Sequence, residues 1–281
     1  MLRSLCKPLH ADRPTTAKFS FMEHTALTEL LISLGVPESV VKEVPKLPGT
    51  VTGLLIYGSR SRGDAVASSD LDLLALVPVQ LPSVNIGAVS VSFYTVAQLA
   101  TGISSLFGAH LKRDGKILRD DDGTLAASLE RMGQVDTARL FERARVMSEL
   151  FTTPDIDLPK YLPGLLREVR YLLRSCLYAQ AIAKGSPCFS VREIAIRHGD
   201  PDLARLLASR HDDESRLTDY SACQSRLRGL IGDFPASRHG SLEATVVNEW
   251  GAGSDLLSMA FMALGSSGGG SDYAEVEKIL L

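Results

Sequence analysis

From Phe21 to Leu34 the apolar residues Phe21, Leu27, Leu30, Leu31 and Leu34 recur at helical spacing, and Gly35 is a stop. Pro37 opens a short second helix with Val40, Val41 and Val44 apolar, and Pro45 ends it, because proline has no amide to continue the ladder. The pattern changes at Pro48-Gly49. Val51–Tyr57 is a compact apolar run that ends in Gly58 and predicts a buried strand. Asp70–Val77 is a second run, closed by Pro78. Val89–Tyr94 alternates strictly, with Val89, Val91 and Phe93 on one face and Ser90, Ser92 and Tyr94 on the other. Leu99–Leu111 predicts one helix, and Gly115–Leu118 a short edge strand.

Beyond the run Asp120-Asp121-Asp122-Gly123 the periodicity is helical almost to the end. Helices are predicted over Leu125–Met132, Thr137–Leu150, Leu162–Ala183, Tyr220–Leu230 and Ser241–Leu264. In the third of these, Leu165, Leu166, Val169, Leu172, Leu173 and Leu177 trace one face. Ser190-Val191-Arg192-Glu193 reads as a capping box opening a further helix, which Gly199 ends before Asp200-Pro201 starts the next. Trp250 and Met259 to Met262 read as core. The pattern therefore predicts an α+β protein: a small mixed sheet flanked by helices at about 20–122, then an all-helical part at about 123–265. Residues 1–19 form a loose leader, and Gly265–Ser271 is a glycine-serine linker before a peripheral tail.

Composition adds exclusions. At 281 residues with 45% apolar and 22% charged side chains, the chain can bury a core without disulfide staples. Thirty-three acids against 30 bases give a net charge of −3, so no whole-chain positive field drives non-specific nucleic-acid binding. The longest apolar runs fall far short of the ~18 residues a membrane span needs. The first twenty residues hold no apolar core of a secretory signal. Cys6, Cys176, Cys188 and Cys223 show no C-x-x-C spacing, so no zinc or redox motif is signalled. A reduced, cytoplasmic protein is the expectation.

The chemistry is concentrated in Tyr57-Gly58-Ser59-Arg60-Ser61-Arg62-Gly63-Asp64 and Ser68-Ser69-Asp70-Leu71-Asp72-Leu73. A strand running into Gly58-Ser59 lets the backbone turn sharply and approach a ligand, and turn amides with a small hydroxyl suit phosphate. Arg60 and Arg62 add charge, with arginine's planar fork suited to two phosphate oxygens. Ten residues separate Ser59 from Asp70, room for a short helix and a return to a neighbouring strand. There Asp70 and Asp72 fall on one face and Leu71 and Leu73 on the other. Two carboxylates facing a phosphate site form the hard oxygen environment that Mg²⁺ prefers.

Gly58-Ser59, the form Gly-Ser-x-x-Arg-Gly through Gly63, and Asp70-Leu71-Asp72 together resemble the minimal-type nucleotidyltransferases of the DNA polymerase beta superfamily. The motif covers about twenty residues, and the order of elements extends the resemblance over about 50–120. The resemblance implies transfer of a nucleotidyl group from a nucleoside triphosphate to an acceptor hydroxyl, with pyrophosphate released. Asp70 and Asp72 would be the catalytic metal ligands for Mg²⁺, or Mn²⁺ in its place. Gly58, Ser59 and Arg62 would hold phosphate, with Lys112 and His110 as further triphosphate contacts. For Lys112, solvated packing at a helix end is the alternative. The acceptor would be a tRNA, a protein or a small molecule, with no membrane involved. A toxin–antitoxin or defence setting and a protein partner are also implied.

One departure stands out: the family usually carries a third carboxylate on the next strand, where this chain has Ser90 and Ser92. A nucleotide-binding module without catalysis is therefore the first rival. A helical-domain ribonuclease is the second, from the pairs Arg192…His198 and Arg205…His211. Arg167, Arg170, Tyr171 and Arg174 share one long helix and would form either a basic face toward the cleft or surface salt bridges.

Overall fold

A computed structural model describes residues 24–152, 157–208 and 216–265. The leader, the start of the first helix at Phe21, His211 and the tail from 266 lie outside the described residues. The elements follow in chain order as α1 (His24–Ser33), α2 (Glu38–Val41), β1 (Gly53–Tyr57), α3 (Gly58–Arg62) and β2 (Leu71–Leu76). Next come β3 (Val84–Ile86), β4 (Val89–Tyr94), α4 (Val96–Thr101), α5 (Leu106–Asp114) and β5 (Lys116–Asp120). Helices follow: α6 (Thr124–Arg131), α7 (Thr137–Met147) running into a 3-10 turn at Ser148–Thr152, α8 (Asp157–Ala183), α9 (Val191–His198) and α10 (Pro201–Ala208). The last three are α11 (Leu217–Ile231), α12 (Leu242–Glu249) and α13 (Asp255–Leu264). The fold is α+β, a five-stranded mixed sheet followed by a helical C-terminal region.

The strand order is β3-β4-β2-β1-β5. β1 lies antiparallel to both β2 and β5, β2 runs parallel to β4, and β3 closes the far edge antiparallel to β4. Both sheet faces are covered, so β1, β2 and β4 are buried along their whole length. Leu54, Ile56, Leu71, Leu73, Val89, Val91 and Phe93 pack with Leu27 and Leu31 of α1 and Val40 and Val41 of α2. Leu55, Tyr57, Leu74, Leu76 and Tyr94 pack on the other face with Phe107, Leu111, Leu125 and Leu129. The alternation expected for β4 holds, with Ser90 and Ser92 on the second face.

Helix α5 serves two cores at once. Phe107 and Leu111 close the second face of the sheet, while Leu106 and Ala109 join the large cluster built on α7, α8, α11 and α13. A helix can do this when apolar positions occupy more than one stripe.

Three expectations need correction. Leu99–Leu111 is two helices, because Ser105 restarts the chain as an N-cap, accepting from the Gly108 amide at 3.0 Å. Ser241–Leu264 is also two helices, α12 and α13, separated at Gly251–Gly253 and restarted by Ser254, which accepts from the Leu257 amide at 3.1 Å. Trp250 is not core: it is 70% exposed, beside Phe261 at 43%. In addition α8 begins earlier than expected, at Asp157, and carries Pro163 within it. Among the described residues no helix is long and apolar enough to cross a membrane, and Cys176, Cys188 and Cys223 are buried free thiols.

Candidate functional site

The site begins where β1 ends. Tyr57 is extended, and Gly58 turns with φ +75° directly into α3. Few side chains tolerate that conformation. Space imposes the same choice, since a Cβ on Gly58 would overlap the Asp72 Oδ2 atom. The glycine therefore lets the turn lie against the carboxylate of the neighbouring strand. Ser59 is half-buried, and its carbonyl accepts from the Gly63 and Asp64 amides at 3.0 and 3.2 Å as α3 ends. The Arg60 guanidinium donates to the Ser69 carbonyl. Ser69 in turn accepts from the Val66 amide at 2.8 Å, which draws in the loop ahead of Asp70.

Asp72 is opposite Tyr57 on β1 and Ser90 on β4, and only 4% of it is exposed. Asp70 precedes β2 by one residue, has the same parity as Asp72 and is half-buried. Gly58, Ser59, Asp70 and Asp72 thus meet at one end of the β1–β2 pair. At the strand position beside Asp72, where the resemblance implies a third acid, stands the buried hydroxyl of Ser90, while Ser92 lies beside Leu74. Among the described residues no group of three or more His, Cys, Asp or Glu side chains is placed to hold a metal ion. Two carboxylates still suit Mg²⁺, which commonly takes one or two protein acids and completes its shell with phosphate oxygens and water.

Arg62 and His110 come together beside this turn, in a network with two acids. Arg62 Nη1 lies 3.0 Å from Asp114 Oδ2 and 3.2 Å from His110 Nε2, and Arg62 Nε lies 3.2 Å from Asp64 Oδ1. His110 Nε2 is 3.3 Å from the same Asp114 oxygen. That nitrogen faces a donor and an acceptor and can serve only one of them in its neutral form. Ser61 Oγ donates to the Asp114 carbonyl, fixing α3 to the end of α5. The His110 ring stacks on Phe189 with centroids 4.9 Å apart, and Tyr57 meets its edge.

Burial pushes the His110 imidazole below its ordinary value, against the opposing pull of Asp114. Burial alone would raise Asp114, but its bonds to His110 and Arg62 hold that carboxyl below the usual carboxylate range. Burial would likewise lower Arg62, and Asp114 with Asp64 keeps it above its ordinary value.

The helical region reaches the site through Asp64. Ser190 donates to Asp64 Oδ2 while its oxygen caps α9, and Arg192 Nη1 donates to the Asp64 carbonyl at 3.1 Å. Asp64, Asp114 and Phe189 have no role assigned from sequence, and Ser190 only that of a helix cap. The one local signal was the i,i+4 spacing of His110 and Asp114, which places them on one helical face.

The other candidate basic residues are engaged elsewhere. Lys112 Nζ donates to the Glu130 and Met132 carbonyls at 2.7 and 2.9 Å, closing the end of α6. Arg167 donates to the Met262 carbonyl, Arg174 to the Leu207 carbonyl at 2.7 Å, and Arg170 lies 3.7 Å from Asp219, so these arginines bind within the bundle. Arg192 and His198 sit at opposite ends of α9, and Arg205 pairs with Asp219.

No protein-family model matches the chain, and no curated protein matches it. Among solved structures, the crystal structure of a nucleotidyltransferase-like protein from Exiguobacterium sibiricum 255-15 is similar at 16% identity, over 65% of this chain and 69% of that one, with a TM-score of 0.29. A likeness of that size assigns no chemistry to this chain.

Proposed function

We propose that this protein binds a nucleoside triphosphate with Mg²⁺ between the Gly58-Ser59 turn and Asp70/Asp72, and transfers its nucleotidyl group to an acceptor hydroxyl. One observation carries the reading: a glycine with positive φ sets the turn directly against a buried aspartate, with a second aspartate two residues away. A buried carboxylate is costly to keep charged, and a cation offsets that cost. The metal, when bound, supplies charge neutralisation and alignment of the phosphates.

The chain's own residues do the rest. Gly58 lets the turn lie directly against the Asp72 carboxylate, where a side chain would overlap it, and the Ser59 hydroxyl donates to a phosphate oxygen. Arg62, fixed by Asp64 and Asp114, holds a permanent positive charge beside the turn, and His110 packs behind it. Lys112 reaches phosphate only by leaving the α6 carbonyls. Asp70 is the more exposed of the two acids. A tRNA end, a protein hydroxyl or a small molecule fits as acceptor. Modification of tRNA or of a partner protein would be the molecular form of a toxin–antitoxin or defence role.

The specific rival is a nucleotide-binding module without transfer, favoured by Ser90, whose hydroxyl is too weak an acid to replace a carboxylate base. The test uses purified protein, Mg²⁺, each α-phosphate-labelled triphosphate, total RNA and cell extract. The reading expects label on an acceptor and released pyrophosphate with wild type, and neither with Asp70→Ala or Asp72→Ala. Equal transfer by those variants overturns it. Triphosphate binding with no pyrophosphate release supports the rival.

A further inference from the structure

Two arginines stand on α3 two residues apart, and that separation turns side chains about 200° around a helix axis. Arg60 and Arg62 accordingly reach opposite neighbours. Arg62 turns to α5 and is bound by both Asp114 and Asp64. Those two carboxylates outnumber its single charge, and burial holds His110 toward its neutral form. An anion arriving at the turn therefore meets in Arg62 a cation already matched within the fold.

Arg60 turns the other way, to the loop that leads into β2. Its Nη2 donates to the carbonyl of Ser69, the residue before Asp70. A guanidinium has five N–H donors, and this is the one hydrogen bond Arg60 makes among the described residues. No carboxylate pairs with it among those residues, and its Nε is buried without a hydrogen-bond partner. Nη1 has no partner there either and, unlike Nε, is not buried. Most buried donors in folded proteins are paired, and leaving one unmade is costly. The pose of Arg60 thus serves something other than the hydrogen bonding of the chain itself. The missing acceptor has to balance an unmatched positive charge, offer oxygens to a planar fork and lie beside Asp70. A phosphate group meets all three requirements.

We infer that Arg60 binds the phosphates of the substrate through its Nη1 edge, with Nη2 kept on the Ser69 carbonyl, while Arg62 braces α3 against α5. The inference rests on the nucleoside triphosphate reading proposed above for Gly58, Ser59, Asp70 and Asp72, and gives it a specific phosphate contact.

Equilibrium dialysis in Mg²⁺ tests it, with labelled ATP, GTP, CTP and UTP and the matching monophosphates against wild type, Arg60→Met and Arg60→Lys. Far-UV circular dichroism establishes that each variant is folded. Arg60→Met should lose about ten- to a hundredfold in affinity for the triphosphate that wild type binds, the range for a hydrogen bond to a charged group. Its loss for the monophosphate should be smaller, because less charge is left unmatched. Arg60→Lys keeps the charge without the fork and should fall between the two proteins. If Arg60→Met does not fold, Arg60→Lys carries the test, with a loss of about threefold or more expected. Triphosphate affinity equal to wild type in the folded variants overturns the inference and leaves the nucleotide reading standing. Equal losses for triphosphate and monophosphate also overturn it, since Arg60 would then only hold the loop ahead of Asp70. If wild type binds none of the triphosphates, the nucleotide reading fails and the inference falls with it.

Discussion

The apposition of Gly58 and Asp72 predicts how much an added methyl costs and why. In Gly58→Ala two penalties add. An alanine held at φ +75° pays about 1–2 kcal/mol for the left-handed conformation. Its Cβ would also overlap Asp72 Oδ2, and a carboxylate that is 4% exposed has little room to retreat, so overpacking adds about 1–3 kcal/mol. The expected loss is about 2–5 kcal/mol. Gly63 supplies the matched control. Its φ is +86°, but nothing lies within 4 Å of a Cβ built there, so Gly63→Ala should lose only the conformational part, about 1–2 kcal/mol. Urea unfolding gives both values, and a cycle with Asp72→Ala isolates the overlap. In the Asp72→Ala background the effect of Gly58→Ala should fall to that of Gly63→Ala. Equal costs for Gly58→Ala and Gly63→Ala in the wild-type background, within about 0.5 kcal/mol, would refute the reasoning.

Other outcomes follow from the same geometry. Folding holds His110 neutral below its ordinary value, whereas the unfolded chain binds a proton near pH 6.5. Stability should therefore fall as pH drops through about 6.5, and His110→Gln should flatten that part of a urea-midpoint profile; an unchanged slope would remove His110 as its source. Asp114 acts lower in pH: its stabilisation is present above the ordinary carboxylate range and is lost only as pH falls through its depressed folded value. Ser190 both caps α9 and bonds Asp64, whereas Ser241 caps α12 through the Ala244 amide. Ser190→Ala should lower stability by about 1–3 kcal/mol and by more than Ser241→Ala, and equal losses would mean that the Asp64 bond contributes nothing. A Cβ at Gly164 on α8 would overlap the Ala263 backbone. Gly164→Ala should accordingly speed amide exchange throughout α13, and unchanged protection there would show that the helices separate freely.

What the sequence revealed depended on the range of the interaction. Strands β1, β2 and β4 were legible because alternation and apolar runs are properties of adjacent residues, and β4 falls on the expected span. The Gly58-Ser59 and Asp70-Leu71-Asp72 stretch was legible because both halves lie within fifteen residues of one another. The three residues of β3 carry too little pattern to register. Continuous apolar periodicity hid the breaks at Ser105 and Ser254, where a serine oxygen competes locally with helix continuation. Trp250 is exposed where its apolar character predicts core, because burial of an aromatic is decided by its neighbours in space. The Arg62–His110–Asp114 network joins residues about fifty apart, and Ser190–Asp64 joins residues 126 apart, separations at which no local pattern carries information.

Because α5 closes the sheet with Phe107 and Leu111 and the bundle with Leu106 and Ala109, the two halves share a wall. A molecule joined by a linker opens and closes about a hinge at little energetic expense. Here, pulling the halves apart would strip one flank of α5 bare. Rearrangement between the halves would then take the form of sliding along that helix, by small steps, with the Asp64–Ser190 bond among the first contacts to break. Force applied to either half would meet resistance from both, and heat would melt them in a single transition.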